Sequence, residues 1–185
     1  MKKQKQLRYL TTTGLLAALI TIFTAYILHI PVGMNGGYIH IGDSIIYIAA
    51  ALLPTPYAMV AGAIGGGLAD LLTAPLWAPA TVIIKMLIVL PFTSKKSKLL
   101  PFRNVIAPFI SFVISATGYY IANWVIFGEK TAILTSFSGS FIQSGSSAVI
   151  FIALAIALDK AGVKSLLFSD SSSHKWKGKE GEVHG

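Results

Sequence analysis

The sequence predicts an all-α integral membrane protein with six transmembrane helices and with both termini on the cytoplasmic side. The first observation is composition: 54% of the 185 residues are hydrophobic, 12% are charged, and the mean hydropathy is +0.70. Soluble domains carry about a quarter charged residues, so this composition suits a bilayer better than water. The second is that the apolar residues fall into six runs. The third is that the basic residues cluster in those segments between the runs that would lie on one side of the membrane.

Six apolar runs are separated by residues that end helices. A membrane-spanning helix needs about 20 apolar residues, and proline ends a helix because it lacks an N–H and restricts the preceding residue. Prolines mark several boundaries: Pro31, Pro54, Pro56, Pro75 and Pro79. The predicted helices are 7–30, 41–53, 56–73, 79–93, 104–127 and 134–159.

The N-terminal segment MKKQKQLRYLTTTGLLAALI has the basic start and apolar run of a signal peptide. The apolar run continues through ITIFTAYILHI, and further apolar runs follow it. We therefore interpret it as a retained first helix.

Basic residues support the six-helix topology. If six helices span the membrane, thirteen of the fifteen basic residues lie on one face. They are Lys2, Lys3, Lys5 and Arg8; Lys95, Lys96, Lys98 and Arg103; and Lys160, Lys164, Lys175, Lys177 and Lys179. Cytoplasmic loops carry an excess of Lys and Arg, so this face is predicted to be cytoplasmic. Residues 1–164 are expected to form the membrane domain, and 165–185 a polar, mobile cytoplasmic tail.

The composition also excludes several kinds of function. The chain has no cysteine, which excludes disulfides, thiol chemistry and cysteine metal sites. No metal or cofactor is expected. The net charge of +8 is explained by topology, so no nucleic-acid partner is expected.

Polar residues in the predicted spans indicate a ligand site. Ionisable groups in a membrane are costly and usually face a protein interior, and here they are Asp43, Asp70 and Lys85. With the uncharged polar residues, they lie towards the outer ends of the helices, which favours a cavity open to the outside over a through-pore. The candidate substrate-binding residues are Asn35, Tyr38, His40, Asp43, Tyr47, Asp70, Trp77, Thr81, Lys85, Tyr119, Asn123 and Gln143.

Several of these residues also have a structural interpretation. Asp70 and Lys85 can form an ion pair between the third and fourth helices, and Asp43 can cap the second. Tyr119, Tyr120 and Asn123 span one turn, so they cannot all face one cavity. Simple structural roles also remain open for His40 as a surface histidine, for Trp77 and Trp124 as interfacial aromatics, and for Gln143 as a side chain bonded only to its neighbours.

Small residues four apart lie on the first and third helices. Gly14 and Ala18 have this spacing, and so do Gly62 and Gly66. Such pairs let helices approach closely in lipid. They predict either packing within the bundle or an interface with a partner subunit.

Residues 39–89, IHIGDSIIYIAAALLPTPYAMVAGAIGGGLADLLTAPLWAPATVIIKMLIV, carry a resemblance to a known family. They contain a Gly-Asp pair, a helix ending in Leu-x-Pro, a glycine-rich helix ending in Ala-Asp, and then Pro-Ala-Thr and a lysine. Together with the six short helices and the basic N-terminus, this pattern resembles the substrate-binding S-component of an energy-coupling factor (ECF) vitamin transporter. The pyridoxine and hydroxymethyl-pyrimidine type is the most similar.

The resemblance implies a mechanism. The S-component would capture a vitamin from outside the plasma membrane, in a bacterium, and would dock on a transmembrane coupling (T) subunit through Gly14, Ala17 and Ala18. Gly36 and Gly37 would give a gating loop its freedom. Two ATPase subunits would drive reorientation of the S-component, and this chain agrees in having no G-x-x-x-x-G-K-[ST] segment of its own.

The candidate side chains suit a small heterocycle. Aromatic rings can stack on it, Asp43 or Asp70 can accept from a ring N–H or hydroxymethyl group, and Lys85 can meet an anionic or phenolate oxygen. These features suit vitamin B6 or hydroxymethyl-pyrimidine, and the preference for these two comes from the family resemblance, since the side-chain chemistry alone does not choose. Pantothenate, whose carboxylate could pair with Lys85, remains an alternative.

Two other classes of protein are alternatives. A CDP-alcohol phosphotransferase needs a D-x-x-D-G pattern, which is absent, and an intramembrane serine protease needs a serine and a histidine at matching depth. Ser140 and Ser146 are present, but His29 and His40 lie near the outer surface, so no enzyme is expected. A stand-alone secondary transporter or channel is the other alternative, although the sequence shows no internal repeat typical of many transporters.

Overall fold

The computed structural model describes residues 2–27, 30–32, 37–128 and 133–168, and in them the predicted helices are present with altered bounds. The helices are α1 (Lys2–Ala25), α2 (Asp43–Leu52), α3 (Thr55–Thr73), α4 (Ala78–Leu87), α5 (Phe102–Phe127), α6 (Ile133–Lys160) and α7 (Val163–Phe168). A short antiparallel hairpin joins α1 to α2, formed by β1 (Ile30–Val32) and β2 (Gly37–Ile39), and a 3₁₀ turn (Pro75–Trp77) precedes α4.

Helix α1 begins at Lys2 instead of residue 7, and two helices end several residues earlier than predicted, each before a proline. Helix α1 ends at Ala25 instead of residue 30; Ile30 pairs in β1, in the extended conformation that Pro31 favours for it. Helix α4 ends at Leu87 instead of residue 93. The chain continues as a turn over residues 88–91, where Pro91 disfavours further helix.

Helix α2 is the central element of the bundle. All ten of its residues are buried, and it contacts α1, α3 and α6. Ten residues of helix extend about 15 Å, half the thickness of a hydrocarbon core. A helix this short is tolerated at membrane depth because protein surrounds it.

Glycines in α3 let α1 and α4 pack closely against it. A Cβ added at Gly65 would lie 2.6 Å from Ile20 Cβ, and one at Gly66 would lie 2.8 Å from Lys85 Cγ. The Thr21 hydroxyl of α1 donates to the Gly65 carbonyl oxygen at 3.1 Å. The Gly62–Gly66 pair therefore packs within the bundle, since Gly62 faces the backbone of Lys85.

The outer faces of the helices are apolar. Exposed side chains include Leu15 on α1, Phe109 on α5 and Val149 on α6. Three segments of the described residues are long and apolar enough to cross a membrane, and these are Lys3–Ala25, Phe102–Phe127 and Phe137–Lys160. Shorter apolar helices occupy Asp43–Leu52 and Pro75–Leu87. This is the pattern of a multi-pass membrane protein.

Opposite the hairpin, the loop between α4 and α5 is held in place by hydrogen bonds. We call these two ends of the bundle the hairpin end and the loop end. The buried Asn104 amide accepts from Thr93 N–H at 2.8 Å and donates to the carbonyl oxygens of Thr93 and Leu99, both at 2.9 Å. The Asp159 carboxylate accepts from Leu99 N–H at 2.8 Å. Neither Asn104 nor Asp159 is among the functional or structural residues predicted from the sequence.

Helix α7 packs against the start of α1. Arg8 donates to the Leu167 carbonyl oxygen at 3.2 Å, and the rings of Tyr9 and Phe168 lie 4.8 Å apart. Lys164 donates to Ala51 and Ser94 carbonyl oxygens; burial lowers the pKa of its ammonium, and the nearby Asp159 charge opposes this. Residues 165–168, which the sequence analysis placed in the mobile tail, thus belong to a packed helix, and 169–185 lie outside the described residues.

Candidate ligand-binding site

A charged pair lies in the interior of the bundle. Lys85 Nζ on α4 donates to Asp43 Oδ1 on α2 at 2.6 Å, and the two side chains are 1% and 0% exposed. Gln143 Nε2 on α6 donates to the second oxygen, Asp43 Oδ2, at 2.8 Å. The pair has no net charge, and both carboxylate oxygens are hydrogen-bonded. Three helices far apart in sequence therefore converge on one carboxylate.

These contacts correct three of the structural interpretations. Lys85 pairs with Asp43 and not with Asp70. Asp43 is the first residue of α2 and does not cap it: Gly42 holds the cap position, without a side-chain cap hydrogen bond. Gln143 bonds across the bundle to Asp43, so its role is not confined to its own helix.

The ring of Tyr119 faces the ammonium of Lys85, and Thr81 and Trp77 contact Tyr119 in turn. Lys85 Nζ lies 5.6 Å from the ring centroid of Tyr119, within cation–π range. The Tyr119 and Thr81 hydroxyls are 3.1 Å apart and hydrogen-bonded. The ring of Trp77 lies 6.0 Å from that of Tyr119, and Trp77 is buried, so the interfacial interpretation of Trp77 is wrong. We call Asp43, Thr81, Lys85, Tyr119 and Gln143 the polar cluster.

His40 is buried beside the polar cluster, so the surface interpretation is wrong for it too. Its Nδ1 accepts from the Gly42 N–H at 2.9 Å. A Cβ at Gly42 would collide with the Thr24 hydroxyl. Gly42 thus permits a close approach that fixes the backbone immediately before Asp43.

Two further candidates lie close to Tyr119. Asp70 is buried at the end of α3 and is within electrostatic reach of Tyr119. Asn123 Nδ2 donates to the Tyr119 carbonyl oxygen at 3.3 Å, one turn along α5. By contrast, Trp124 is 48% exposed on the outer face of the same helix.

The predicted gating segment is only partly described. Asn35 and Gly36 lie outside the described residues. Gly37 lies in β2 opposite Val32, and the backbone of Tyr38 pairs with Pro31; the side chain of Tyr38 is outside the described set. The segment is a hairpin at this point, a feature that the sequence analysis did not predict.

Tyr47 lies one helical turn from Asp43, towards the loop end. It is completely buried, and its ring stacks on Phe92 at 5.0 Å and meets Phe151 edge-on at 5.9 Å. Ser111 and Ser144 lie near its hydroxyl. Tyr47 was predicted as a site residue, but the buried Ser115 of α5 and Ser147 of α6 were not, although each lies four residues from a predicted site residue, Tyr119 and Gln143 respectively.

The predicted partner-docking residues are divided between two faces of α1. Gly14 and Ala18 are exposed, and a Cβ at Gly14 would have no atom within 4 Å. Ala17 is buried, and its carbonyl oxygen would lie 2.8 Å from a Cβ at Gly65. The placement of Ala17 at the partner interface is therefore wrong, because that face of α1 packs on α3.

An apolar groove of about 370 Å³ lies outside the polar cluster, between α3 and α4. Its lining includes Ala63, Leu71, Pro79 and Val82 and carries no charged side chain. A groove of this kind suits lipid or another apolar helix. The polar cluster is consequently the stronger candidate for a water-soluble ligand.

The polar cluster can recognise a donor and an acceptor at once. The Asp43 carboxylate accepts hydrogen bonds, while the Lys85 ammonium and the Gln143 amide donate them. The rings of Tyr119 and Trp77 add apolar, polarisable faces. Such a set suits a small heterocycle with polar atoms along its edge.

Comparison with known proteins gives the family. A family model described as ECF-type riboflavin transporter, S component, matches residues 4–160. A protein of Pyrococcus woesei, described as "Uncharacterized protein in gap 3'region", is 27% identical over 139 residues, which cover 74% of this chain and 93% of that protein. The predicted resemblance to an S-component is confirmed at the level of the family. The chain belongs to the family of ECF-type riboflavin transporter S components, membrane-embedded substrate-binding subunits of ECF transporters.

Proposed function

We propose that this chain captures a small heterocyclic vitamin, or a vitamin precursor, without net charge. The observation that carries the proposal is the buried Lys85–Asp43 pair with Gln143 on its second oxygen. Buried charges are stable only when paired and hydrogen-bonded. A ligand that presents both an acceptor and a donor can replace the contact between Lys85 and Asp43 and leave neither charge unpaired.

This reasoning orders the candidate ligands. Pyridoxine offers a phenol oxygen and a ring nitrogen, and hydroxymethyl-pyrimidine offers an amino group beside a ring nitrogen. Riboflavin, suggested by the description of the matched family, offers an imide edge. The carboxylate of pantothenate would pair with Lys85 and displace Asp43, which would leave the Asp43 carboxylate without a cationic partner. Pantothenate is therefore the weaker candidate.

The orientation in the membrane follows from the basic residues. We place α1 to α6 in the bilayer as six spans of a plasma-membrane protein, with the loop end and both termini in the cytoplasm. Arg103 and Lys164 lie at the loop end, bonded to carbonyl oxygens of residues 90–94 and 51. The hairpin end and the polar cluster then face outwards, where the ligand enters.

Uptake needs partner subunits in this proposal. The exposed face of α1 with Gly14 and Ala18 docks on a T subunit, and two ATPase subunits supply the energy. Small residues allow the close approach of helices that such a contact needs in lipid. The chain itself is a transport subunit and not an enzyme.

The test is binding by the purified chain, followed by uptake. Native mass spectrometry would measure binding of pyridoxine, hydroxymethyl-pyrimidine, riboflavin, pantothenate and niacin. One neutral heterocycle bound at one-to-one, with no uptake into liposomes that contain this chain alone, supports the proposal. Uptake without partner subunits would instead establish a stand-alone transporter, and preferential binding of pantothenate would overturn the argument from neutrality.

A further inference from the structure

Four hydroxyls are buried on the helices that carry the polar cluster. They belong to Tyr47, Ser115, Ser144 and Ser147, which are at most 3% exposed. None of these hydroxyls has a partner at hydrogen-bond distance and angle among the residues that the structure describes, although the hydroxyls of Tyr47 and Ser144 lie close to each other. We call these four residues the hydroxyl well.

Helical spacing places the hydroxyl well directly next to the polar cluster. Tyr47 follows Asp43 by four residues on α2, and Ser147 follows Gln143 by four on α6. Ser115 precedes Tyr119 by four on α5, which runs in the opposite direction. Each of the three is therefore one turn closer to the loop end than its partner in the polar cluster.

Aromatic rings close the well on the side of the loop end. Phe92 and Phe151 lie 5.6 Å apart and both pack on the ring of Tyr47. Ser111, one turn below Ser115, donates to the Ile88 carbonyl oxygen at 2.9 Å. The hydroxyl well thus lies between a charged pair and an apolar floor.

Several unbonded hydroxyls in one place need a physical reason. A buried polar group without a hydrogen bond destabilises a protein, and alanine in its place is neutral or stabilising. A serine can avoid this cost by bonding to its own helix, as Ser146 does through the carbonyl oxygens of Ile142 and Gln143. The hydroxyls of the well do not avoid this cost in the protein alone. They become favourable only when another molecule forms hydrogen bonds with them.

We propose that the hydroxyl well binds a hydroxyl substituent of the ligand whose ring is held at Asp43, Lys85 and Gln143. This inference rests on the proposed function and narrows it: the substrate class becomes a neutral heterocyclic alcohol. Hydroxyl groups both donate and accept, so an alcohol can satisfy several well hydroxyls together. A charged substituent such as a phosphate has no counter-ion among the four residues.

The experiment compares variants and paired ligands. The variants are Ser147→Ala and Ser144→Ala, with Ser146→Ala as the matched control on the same helix. The ligand pairs differ by one hydroxyl or chain of hydroxyls: pyridoxine and 4-deoxypyridoxine, hydroxymethyl-pyrimidine and its dimethyl analogue, riboflavin and lumichrome. Affinity is measured by native mass spectrometry, and thermal stability is measured without added ligand.

The inference predicts opposite effects on stability and affinity. Ser147→Ala should leave the Tm without ligand unchanged or raise it, and should weaken binding of the hydroxylated probe about tenfold, the effect of one hydrogen bond. The deoxy probe should bind the variant and the wild type equally. Ser146→Ala should not alter affinity for either probe.

Four results would overturn it. A lower Tm with unchanged affinity would mean that the serine hydroxyls bond within the protein. An equal loss of affinity for both members of a pair would mean a general disturbance of the site. Equal affinity of the wild type and the variants for a hydroxylated probe would overturn this inference and leave the proposed function intact. A wild-type protein that binds none of the probes would overturn both.

Discussion

Lys85 and Asp43, 42 residues apart in sequence, form an ion pair of 2.6 Å in the interior of the bundle. Removing one partner of a buried pair leaves an uncompensated charge, which costs about 3–5 kcal/mol. Asp43→Asn or Lys85→Met should therefore each lower the free energy of unfolding in detergent by that amount. The double variant should recover most of the loss, because it buries no charge. A double variant as unstable as the sum of the two single ones would contradict the pairing.

Gly65 allows α1 and α3 to pack in contact. Gly65→Ala would bring a methyl group within 2.7 Å of Ile20 side-chain atoms, and overpacking of this kind costs about 1–3 kcal/mol. The control is Gly14→Ala on the exposed face of α1, where nothing lies within 4 Å. The Tm of the isolated chain should fall for the first variant only. Equal effects of the two would mean that α1 and α3 are not packed as described.

The same exposed face of α1 tests docking on a T subunit. Gly14→Leu should abolish vitamin uptake in cells that contain the complete transporter, while ligand binding by the isolated chain stays unchanged. Gly145→Leu, at an exposed glycine of α6, is the matched control and should leave uptake intact. Loss of uptake in both variants would remove the assignment of this face.

At the loop end, Asn104 determines the order of the α4–α5 loop. Asn104→Leu removes three hydrogen bonds, to Thr93 N–H, Thr93 O and Leu99 O, and leaves their partners unsatisfied at about 1–3 kcal/mol each where they stay buried. Amide hydrogen exchange at Thr93 should accelerate strongly. Lys96→Gln, an exposed change in the same loop, should not alter it. Unchanged exchange in the first variant would mean that the loop is held by other contacts.

The sequence predicted the elements better than their contacts. Apolar runs and prolines located all the main helices, and the cost of burying ionisable groups in lipid singled out Asp43 and Lys85. Their pairing was not predictable, because Asp70 and Lys85 lie on consecutive helices and could pair equally well. The choice of Asp43 over Asp70 depends on the close packing of α3 on α4 and on the central position of α2. Asn104 and the serines of the hydroxyl well were missed because polar uncharged residues give no signal in a hydropathy pattern. The hairpin was missed because three-residue strands are too short for periodicity to show.

The most direct test of the central claim is the affinity of the bound vitamin for Asp43→Asn and Lys85→Met, measured by native mass spectrometry on folded protein. The control is Asp159→Asn, which removes a carboxylate at the loop end, where Asp159 bonds to Leu99 N–H. The account predicts at least about a tenfold loss of affinity for the first two variants, because each removes a charge-assisted hydrogen bond to the ligand, and none for the control. Undiminished binding by both Asp43→Asn and Lys85→Met would show that the ligand binds elsewhere and that the pair serves only the fold.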